Sequence, residues 1–262
     1  MNFFAAGSAA ERYARGRTRF HPLVVRRVKE LLSITTPLRR ALDAACGTGL
    51  STVALREAAA RVIGADASAE MLARAERAPG VSYVRSPAER LPFRTSAFDI
   101  VTVCQALHWF ERERFFAEAH RVLRAGGRLV VYDNYFAGAT ADETSGGEGV
   151  ASFRHWFRES YLARFPAPPR RWVSLTDEET RPHGFRLLAH EELRNAETLT
   201  AEALVDYLLT QTNVIAAVEG AGREVAEVRG WMDAGLRPVF GGERAKEFPF
   251  VAPVWVLRRE GV

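Results

Sequence analysis

The sequence predicts an α/β protein whose central sheet is parallel and covered by helices on both faces. Three observations carry that prediction. Five short runs rich in Val, Ile and Leu occur in the first half of the chain: ALDAA (41–45), RVIGA (61–65), VSYVR (81–85), FDIVTV (98–103) and GRLVVYD (127–133). Each is too short to be a helix. Stretches of helical periodicity separate them, and strand–helix alternation at this spacing demands crossover connections, hence parallel strands buried on both sides. A glycine-rich turn, CGTG (46–49), follows the first run.

The elements follow in order. The first forty residues read as helix, with Val24, Val25, Val28, Leu31 and Leu32 on one face of VVRRVKELL and Pro37 closing the region. Between the strands, helices fit 50–59, 69–77 and 112–124. In the last, Phe115, Phe116, Ala119, Val122 and Leu123 share a face, and Gly126 and Gly127 supply a C-terminal stop. Asp99 opens the fourth strand in a structural role. AGATADETSGGEG (137–149) reads as a loop and FRHWFRESYLARF (153–165) as a helix, whose stripe of Phe153, Trp156, Phe157 and Tyr161 is core; PAPPRR breaks it. FRLLAHEEL (185–193) reads as a strand, 201–209 and 223–234 as helices, and FVAPVWVLRR (250–259) as a last strand. Pro253 conflicts with a central place there, because it has no ladder N–H, and a bulge would reconcile the two.

Composition bounds the class. The chain has 262 residues, 47% hydrophobic and 26% charged, which suits one α/β domain with an elaboration. No apolar run is long enough to span a bilayer, and MNFFAAGSAAERYARGR has no secretory pattern, so a cytoplasmic protein is expected. Cys46 and Cys104 are the two cysteines. They fit neither a disulfide framework nor a metal site, and they read as small apolar residues. Net charge is +4, carried almost wholly by arginine, since Lys29 and Lys246 are the only lysines. Acids and bases are interspersed, which argues against a nucleic-acid partner. Arg154, Arg158, Arg170 and Arg171 read as solvated charges.

The chemistry is concentrated in LDAACGTGLS (42–51). Gly47 and Gly49 let the chain turn sharply and a ligand approach the backbone, and N–H groups at a helix start attract negative charge. A GxG turn alone is shared by many nucleotide binders. Two acids narrow the choice. Asp66 ends the second strand about 20 residues past the turn, where a carboxylate can accept from both ribose hydroxyls. Asp43 precedes the turn and would repel a pyrophosphate, whereas it would suit a ligand carrying an ammonium group. Thr52 stands where a GxGxxG pattern has its third glycine. Both features favour a methyl donor over NAD.

DAACGTG, VIGADASAEML, SPAERLPF, FDIVTVCQALHWF and HRVLRAGGRLVVYDN follow one another, and together they resemble class I S-adenosylmethionine-dependent methyltransferases over roughly residues 10 to 135. The HWF segment is similar to the branch that includes trans-aconitate methyltransferase. The resemblance implies a Rossmann-like, seven-stranded, mostly parallel sheet with the last strand antiparallel beside the fifth, helices on both faces and a helical cap inserted after strand five. It implies S-adenosyl-L-methionine as cofactor and S-adenosyl-L-homocysteine as product. By it, Asp43, Cys46, Gly47 and Gly49 would line the methionine portion, Asp66 would hold the ribose, and Ala67 and Met71 would flank the adenine. Ala88 and Glu89 would lie near the adenine edge, although Pro87 stands where many relatives have an acid. Gln105 would make a backbone contact to the donor and His108 would open the acceptor pocket, with Trp109 and Tyr135 beside it. Tyr13 resembles the aromatic of an N-terminal lid. The organisation that follows is a lid over 1–36, a donor-binding core over 37–135, a substrate cap over 136–184 and a completing segment over 185–262.

The expected reaction is methyl transfer to an oxygen, nitrogen or carbon of a small molecule, with an acidic or natural-product-type acceptor as a narrower form. His108 is the candidate catalyst, because imidazole titrates near neutrality and can take a proton from a nucleophile. No metal is called for. Oligomeric state is not readable. Two readings compete: an NAD-binding oxidoreductase, and a non-catalytic donor-binding member of the fold.

Overall fold

The computed structural model describes residues 7–144, 152–166 and 175–261. Helices α1 (Gly7–Gly16) and α2 (His21–Leu31) precede strand β1 (Leu38–Ala44); α3 (Leu50–Ala54) and a 3-10 turn lead to β2 (Ala59–Asp66), α4 (Ala69–Leu72), β3 (Val81–Arg85) and β4 (Phe98–Cys104). A 3-10 turn, Leu107–Trp109, and α5 (Arg112–Val122) run into β5 (Leu123–Tyr132), followed by β6 (Tyr135–Phe136), α6 (Ala141–Thr144) and α7 (Phe153–His155). A π-helical turn continues α7 into α8 (Leu162–Arg164); then come α9 (Asp177–Thr180), β7 (Phe185–Leu199), α10 (Ala201–Leu208), α11 (Thr212–Ile215), α12 (Val225–Phe240) and β8 (Lys246–Arg259).

The chain forms two compact units. The larger holds Arg19–Asn134 with residues 175–193 and 252–261. Its sheet runs β3-β2-β1-β4-β5-β8, parallel from β3 through β5. β8 lies antiparallel beside β5, with Tyr132 opposite Val254, and β7 pairs β8. Alternation along the strands feeds two cores. Leu42, Val101 and Val131 pack with Phe115, Phe116 and Ala119 of α5. Ala41, Ile100 and Val130 pack with Val24, Val25 and Val28 of α2 and with Ala54 and Leu55 of α3. Helices therefore cover both faces, as the periodicity requires.

The smaller unit comprises residues 7–18, 135–144, 152–166 and 194–251 of the described chain. In it β6 pairs β8, with Tyr135 opposite Val251. The aromatic stripe is core, as read: Phe153, Trp156 and Tyr161 are buried with Leu204, Leu208, Met232 and Phe248. α1 packs against α10 so closely that a Cβ on Gly16 would stand 2.2 Å from the carbonyl oxygen of Asp206. Arg12 is buried beneath it and paired with Glu219 at 2.9 Å. Among the described residues the strands number eight, one more than expected; the additional one is the two-residue β6.

Several boundaries differ from expectation for identifiable reasons. The N-terminal helix is broken at 17–20 and restarts with Pro22 in the first turn of α2. α3 is short because Ala59 pairs with Leu38, so sheet pairing overrides the helix propensity of the alanine run at 58–60. α4 stops at Leu72, and the chain then turns until Glu76 N donates to Thr48 O at 3.0 Å. Gly126 and Gly127 do not end α5. Its last carbonyls, on Arg121 and Val122, accept from Ser96 N and Ala97 N, and both glycines lie within β5. The expected loop at 137–149 contains a helical turn, α6, whose Glu143 carboxylate accepts from Thr140 N at 2.7 Å; positions 145–149 lie outside the described residues, as do 167–171 of the proline-rich break. No bulge is required at Pro253. It falls opposite Asp133–Asn134, between the β5 and β6 ladders, and its carbonyl accepts from Asp133 N at 3.1 Å. Among the described residues, no helix is long and apolar enough to cross a membrane.

Candidate functional site

The site is built at the carboxyl ends of β1, β2 and β4, all in the larger unit. β1 ends at Ala44, and the chain then passes through left-handed backbone at Ala45 (φ 55°), Gly47 (φ 54°) and Gly49 (φ 80°) before α3 begins. Ala45 holds a conformation that costs a non-glycine residue roughly 1 kcal/mol. Strain of this kind persists where surrounding contacts over-determine it. Those contacts are present: Cys46 N donates to Ala65 O, Gly49 N to Cys46 O, and Gly47 N to Asp66 Oδ2 at 2.8 Å.

Asp66 is the centre of this arrangement. Its Oδ2 accepts from Gly47 N and its Oδ1 from Ser68 N, each at 2.8 Å. An ionised carboxylate has about four acceptor sites, so acceptor capacity remains beyond the backbone bonds, which come from Ser68, Gly47 and Ala67. Two vicinal hydroxyls are the matching partner. Burial raises the Asp66 pKa, and the N–H bonds from Ser68 and Gly47 oppose that rise.

Asp43, expected beside the methionine portion, is held by hydroxyl groups. Its side chain is fully buried. Oδ2 accepts from Ser51 Oγ at 2.6 Å and Thr52 Oγ1 at 2.7 Å, and Oδ1 from Thr102 Oγ1 at 2.9 Å. It pins the start of α3 to β1 and β4. The departure from GxGxxG at Thr52 has the same explanation, since the hydroxyl is one of its three donors. Burial pushes the Asp43 pKa up to about 6 against those hydroxyl bonds. The sign of the consequence follows. Between 3.8, its ordinary value, and about 6 the folded chain holds a proton that the unfolded chain has released. Stability therefore falls as pH rises through that window, by about 1.4 kcal/mol per unit at most. Asp43→Asn is expected to flatten this slope in urea titrations at pH 4, 5, 6 and 7; profiles that stay parallel to the wild type would count against the assignment.

The remaining expected residues fall as follows. Cys46 is buried, and desolvation pushes its thiol well above the ordinary range, so it is an inert packing group; Cys104 is half-buried, with its Sγ 3.7 Å from His21 Nδ1. Ala67 is exposed and follows Asp66, its carbonyl accepting from Arg85 Nε at 3.1 Å. Met71 and Ala88 are buried, Met71 N donating to the Ser68 cap. Glu89 Oε1 accepts from Glu111 N at 3.2 Å, at the start of α5. Gln105 has φ 51°; its N donates to Tyr132 O and its Nε2 to Asn134 O. His108 and Trp109 share the 3-10 turn after β4, with ring centroids 4.6 Å apart, and Trp109 is exposed. Asp99 is structural, accepting from Arg40 N at 2.8 Å and pairing with Arg124. Tyr13, in α1, and Tyr135, opening β6, belong to the smaller unit. Arg158 is exposed, Arg154 N donates to the Glu143 carboxylate, and Arg170 and Arg171 lie outside the described residues.

Three residues at the site escaped the sequence reading. Tyr83 of β3 lies against the glycine turn: a Cβ on Gly49 would sit 2.2 Å from its hydroxyl, and one on Gly64 2.7 Å from its Cδ1. The space that a Cβ on Gly49 would occupy is thus bounded by Tyr83. His21 is buried at the start of α2, with Nδ1 3.2 Å from Tyr132 Oη. Glu76 joins the turn to its neighbours through main chain and side chain. Only the aromatic in VSYVR could have signalled Tyr83, and a strand aromatic is ordinary.

Comparison with known proteins identifies the family. Residues 42–131 match the family described as Methyltransferase domain. An uncharacterised methyltransferase of Mycobacterium bovis is 31% identical over 212 residues, covering 80% of this chain and 77% of that one. A demethylmenaquinone methyltransferase of Thermus thermophilus is 41% identical over 110 residues, 39% of this chain and 50% of that one. Among solved structures, a candidate type II methyltransferase from Anaeromyxobacter dehalogenans superposes with a TM-score of 0.67 at 25% identity, covering 92% of this chain and 97% of that one.

Proposed function

This chain belongs to the class I S-adenosylmethionine-dependent methyltransferases, and on that premise we propose that the turn at 45–49 and Asp66 hold the donor while a small molecule supplies the accepting oxygen, nitrogen or carbon. The observation that supports this placement is the 2.8 Å bond from Gly47 N to Asp66 Oδ2, which joins the turn to a carboxylate that keeps acceptor sites for a ligand. Those sites suit the two hydroxyls of a ribose. Cys46, Gly47 and Gly49 bound the methionine side, Ala67 and Met71 the adenine, and Ala88, Glu89 and Gln105 complete the donor pocket. Asp43 acts through the turn it braces.

The donor supplies a methyl group already activated on a sulfonium, so the chain's task is alignment and exclusion of water. Orienting two reactants can lower a barrier by about 7–11 kcal/mol. A base is needed when the attacking atom must lose a proton, and His108 is the candidate for that step. Family membership removes the oxidoreductase reading. A cytoplasmic enzyme acting on a small acceptor, without nucleic acid, is the proposal; an acidic acceptor is its narrower form and requires arginines that converge on the bound molecule.

The test is equilibrium dialysis with radiolabelled S-adenosylmethionine, followed by label transfer across a panel of carboxylic acids, phenols, amines and RNA. Stoichiometric binding with label appearing on a small molecule is the expected result. Label on RNA alone would overturn the acceptor assignment, and donor binding without transfer to any acceptor would favour a non-catalytic member of the fold.

A further inference from the structure

We infer that Glu76 is a positioning residue for donor binding, clamping the glycine turn to β3 through its backbone and to the segment before α2 through an ion pair with Arg19.

The inference rests on the donor site proposed above and on contacts that converge on this one residue. Glu76 N donates to Thr48 O at 3.0 Å, inside the turn. Glu76 O accepts from Tyr83 Oη at 2.5 Å, and the same tyrosine ring fills the space beside Gly49 and Gly64. The carboxylate meets Arg19 in two-point fashion, Nη1 to Oε2 at 3.3 Å and Nη2 to Oε1. Arg19, His21, Leu50 and Glu76 line one depression of about 400 Å³, so the pair stands at the rim of a groove between the start of α2 and the start of α3.

Regular helix would not produce this arrangement. The chain leaves α4 at Leu72, although MLARAERA carries strong helix formers, and the early stop brings the Glu76 amide to Thr48. A residue bonded to the turn by its amide, to β3 by its carbonyl and to the N-terminal segment by its side chain couples three elements that donor binding must hold together. The two-point geometry gives the pair direction as well as attraction. Arg19 is 70% exposed and the Glu76 side chain 32%, so the pair adds little to global stability. Its effect belongs in ligand affinity.

The test uses the full chain and radiolabelled S-adenosylmethionine in equilibrium dialysis. Glu76→Gln and Arg19→Gln are each expected to weaken donor binding about two- to fivefold, the upper span of one partly exposed ion pair, with melting temperature essentially unmoved. The double exchange Arg19→Glu with Glu76→Arg should recover most of the loss, which ties the effect to the pair itself, while a merely structural role would lower the melting temperature of the single variants. Raised salt should weaken wild-type binding towards the level of the single variants. Unchanged affinity in both single variants, while Asp66→Ala still weakens binding, overturns the clamp alone. Unchanged affinity in all three variants means that the donor site itself is elsewhere. Loss of affinity that the exchange fails to recover also overturns the clamp. Arg19→Gln, on the more exposed partner, keeps the test valid should changes at Glu76 impair folding.

Discussion

Asp66→Ala is expected to weaken donor binding by at least about a hundredfold. Two charge-assisted hydrogen bonds to ribose hydroxyls contribute roughly 3 kcal/mol even at the lower end of their range. The prediction has a confounding route, because the same carboxylate accepts from Gly47 N and Ser68 N, each at 2.8 Å. Removing it releases two backbone donors as well as the ligand's partner, and the turn would loosen. A double-mutant cycle separates the two routes. S-adenosylhomocysteine and its 2′-deoxy analogue are titrated against wild type and Asp66→Ala. If the carboxylate grips the ribose, the analogue loses affinity for the wild type and little more for the variant, so the two changes are strongly non-additive. Full additivity would show that Asp66 acts through the turn alone. Asp66→Asn offers an intermediate case: the amide oxygen can still accept one N–H, but the charge is gone and the amide nitrogen faces a backbone donor. About a tenfold loss is expected there.

The sheet was legible because its strands announce themselves locally. VSYVR is five apolar-alternating residues ahead of Ser86–Pro87, and it forms β3 with the expected bounds. The last strand was legible as a strand, and its antiparallel place beside β5 came through the resemblance. What local pattern could not reveal is assembly. Residues 7–18 join 194–251 in one unit, a pairing that rests on the absence of a side chain at Gly16 against Asp206 and on the pairing of a buried Arg12 with Glu219. Neither has a periodic signal. The same limit applies at the site. Asp43 was legible as an acid beside a turn, and charge logic gave it a ligand. In the fold it meets Ser51, Thr52 and Thr102, the last of them 59 residues away. A buried carboxylate takes whatever donors the fold brings, and for Asp43 those donors were internal. Asp66 was placed by spacing alone, and its bond to Gly47 fits the crossover geometry from which that spacing derives.

Gly49→Ala is expected to cost about 3 kcal/mol of stability and to abolish measurable donor binding. Two penalties combine. The residue sits at φ 80°, which costs an L-residue roughly 1–2 kcal/mol. Its Cβ would also stand 2.2 Å from Tyr83 Oη and 2.9 Å from Cζ. The ring cannot retreat easily. The same ring edge runs on to Cδ1, 2.7 Å from where a Cβ on Gly64 would be, and its hydroxyl is bonded to Glu76 O. Overpacking of this kind typically costs about 1–3 kcal/mol. A chain of this size should lose roughly 6–12 °C in melting temperature. The background decides what the glycine is for. In Tyr83→Ala the clash is gone, so Gly49→Ala should cost only the backbone penalty. Tyr83→Phe should give little relief, because Cζ remains. If Gly49→Ala costs as much with the ring removed as with it present, Tyr83 is not what the glycine accommodates. If the ring-less double variant recovers stability yet still fails to bind the donor, the missing Cβ serves the ligand as well, and the turn is shaped from both sides.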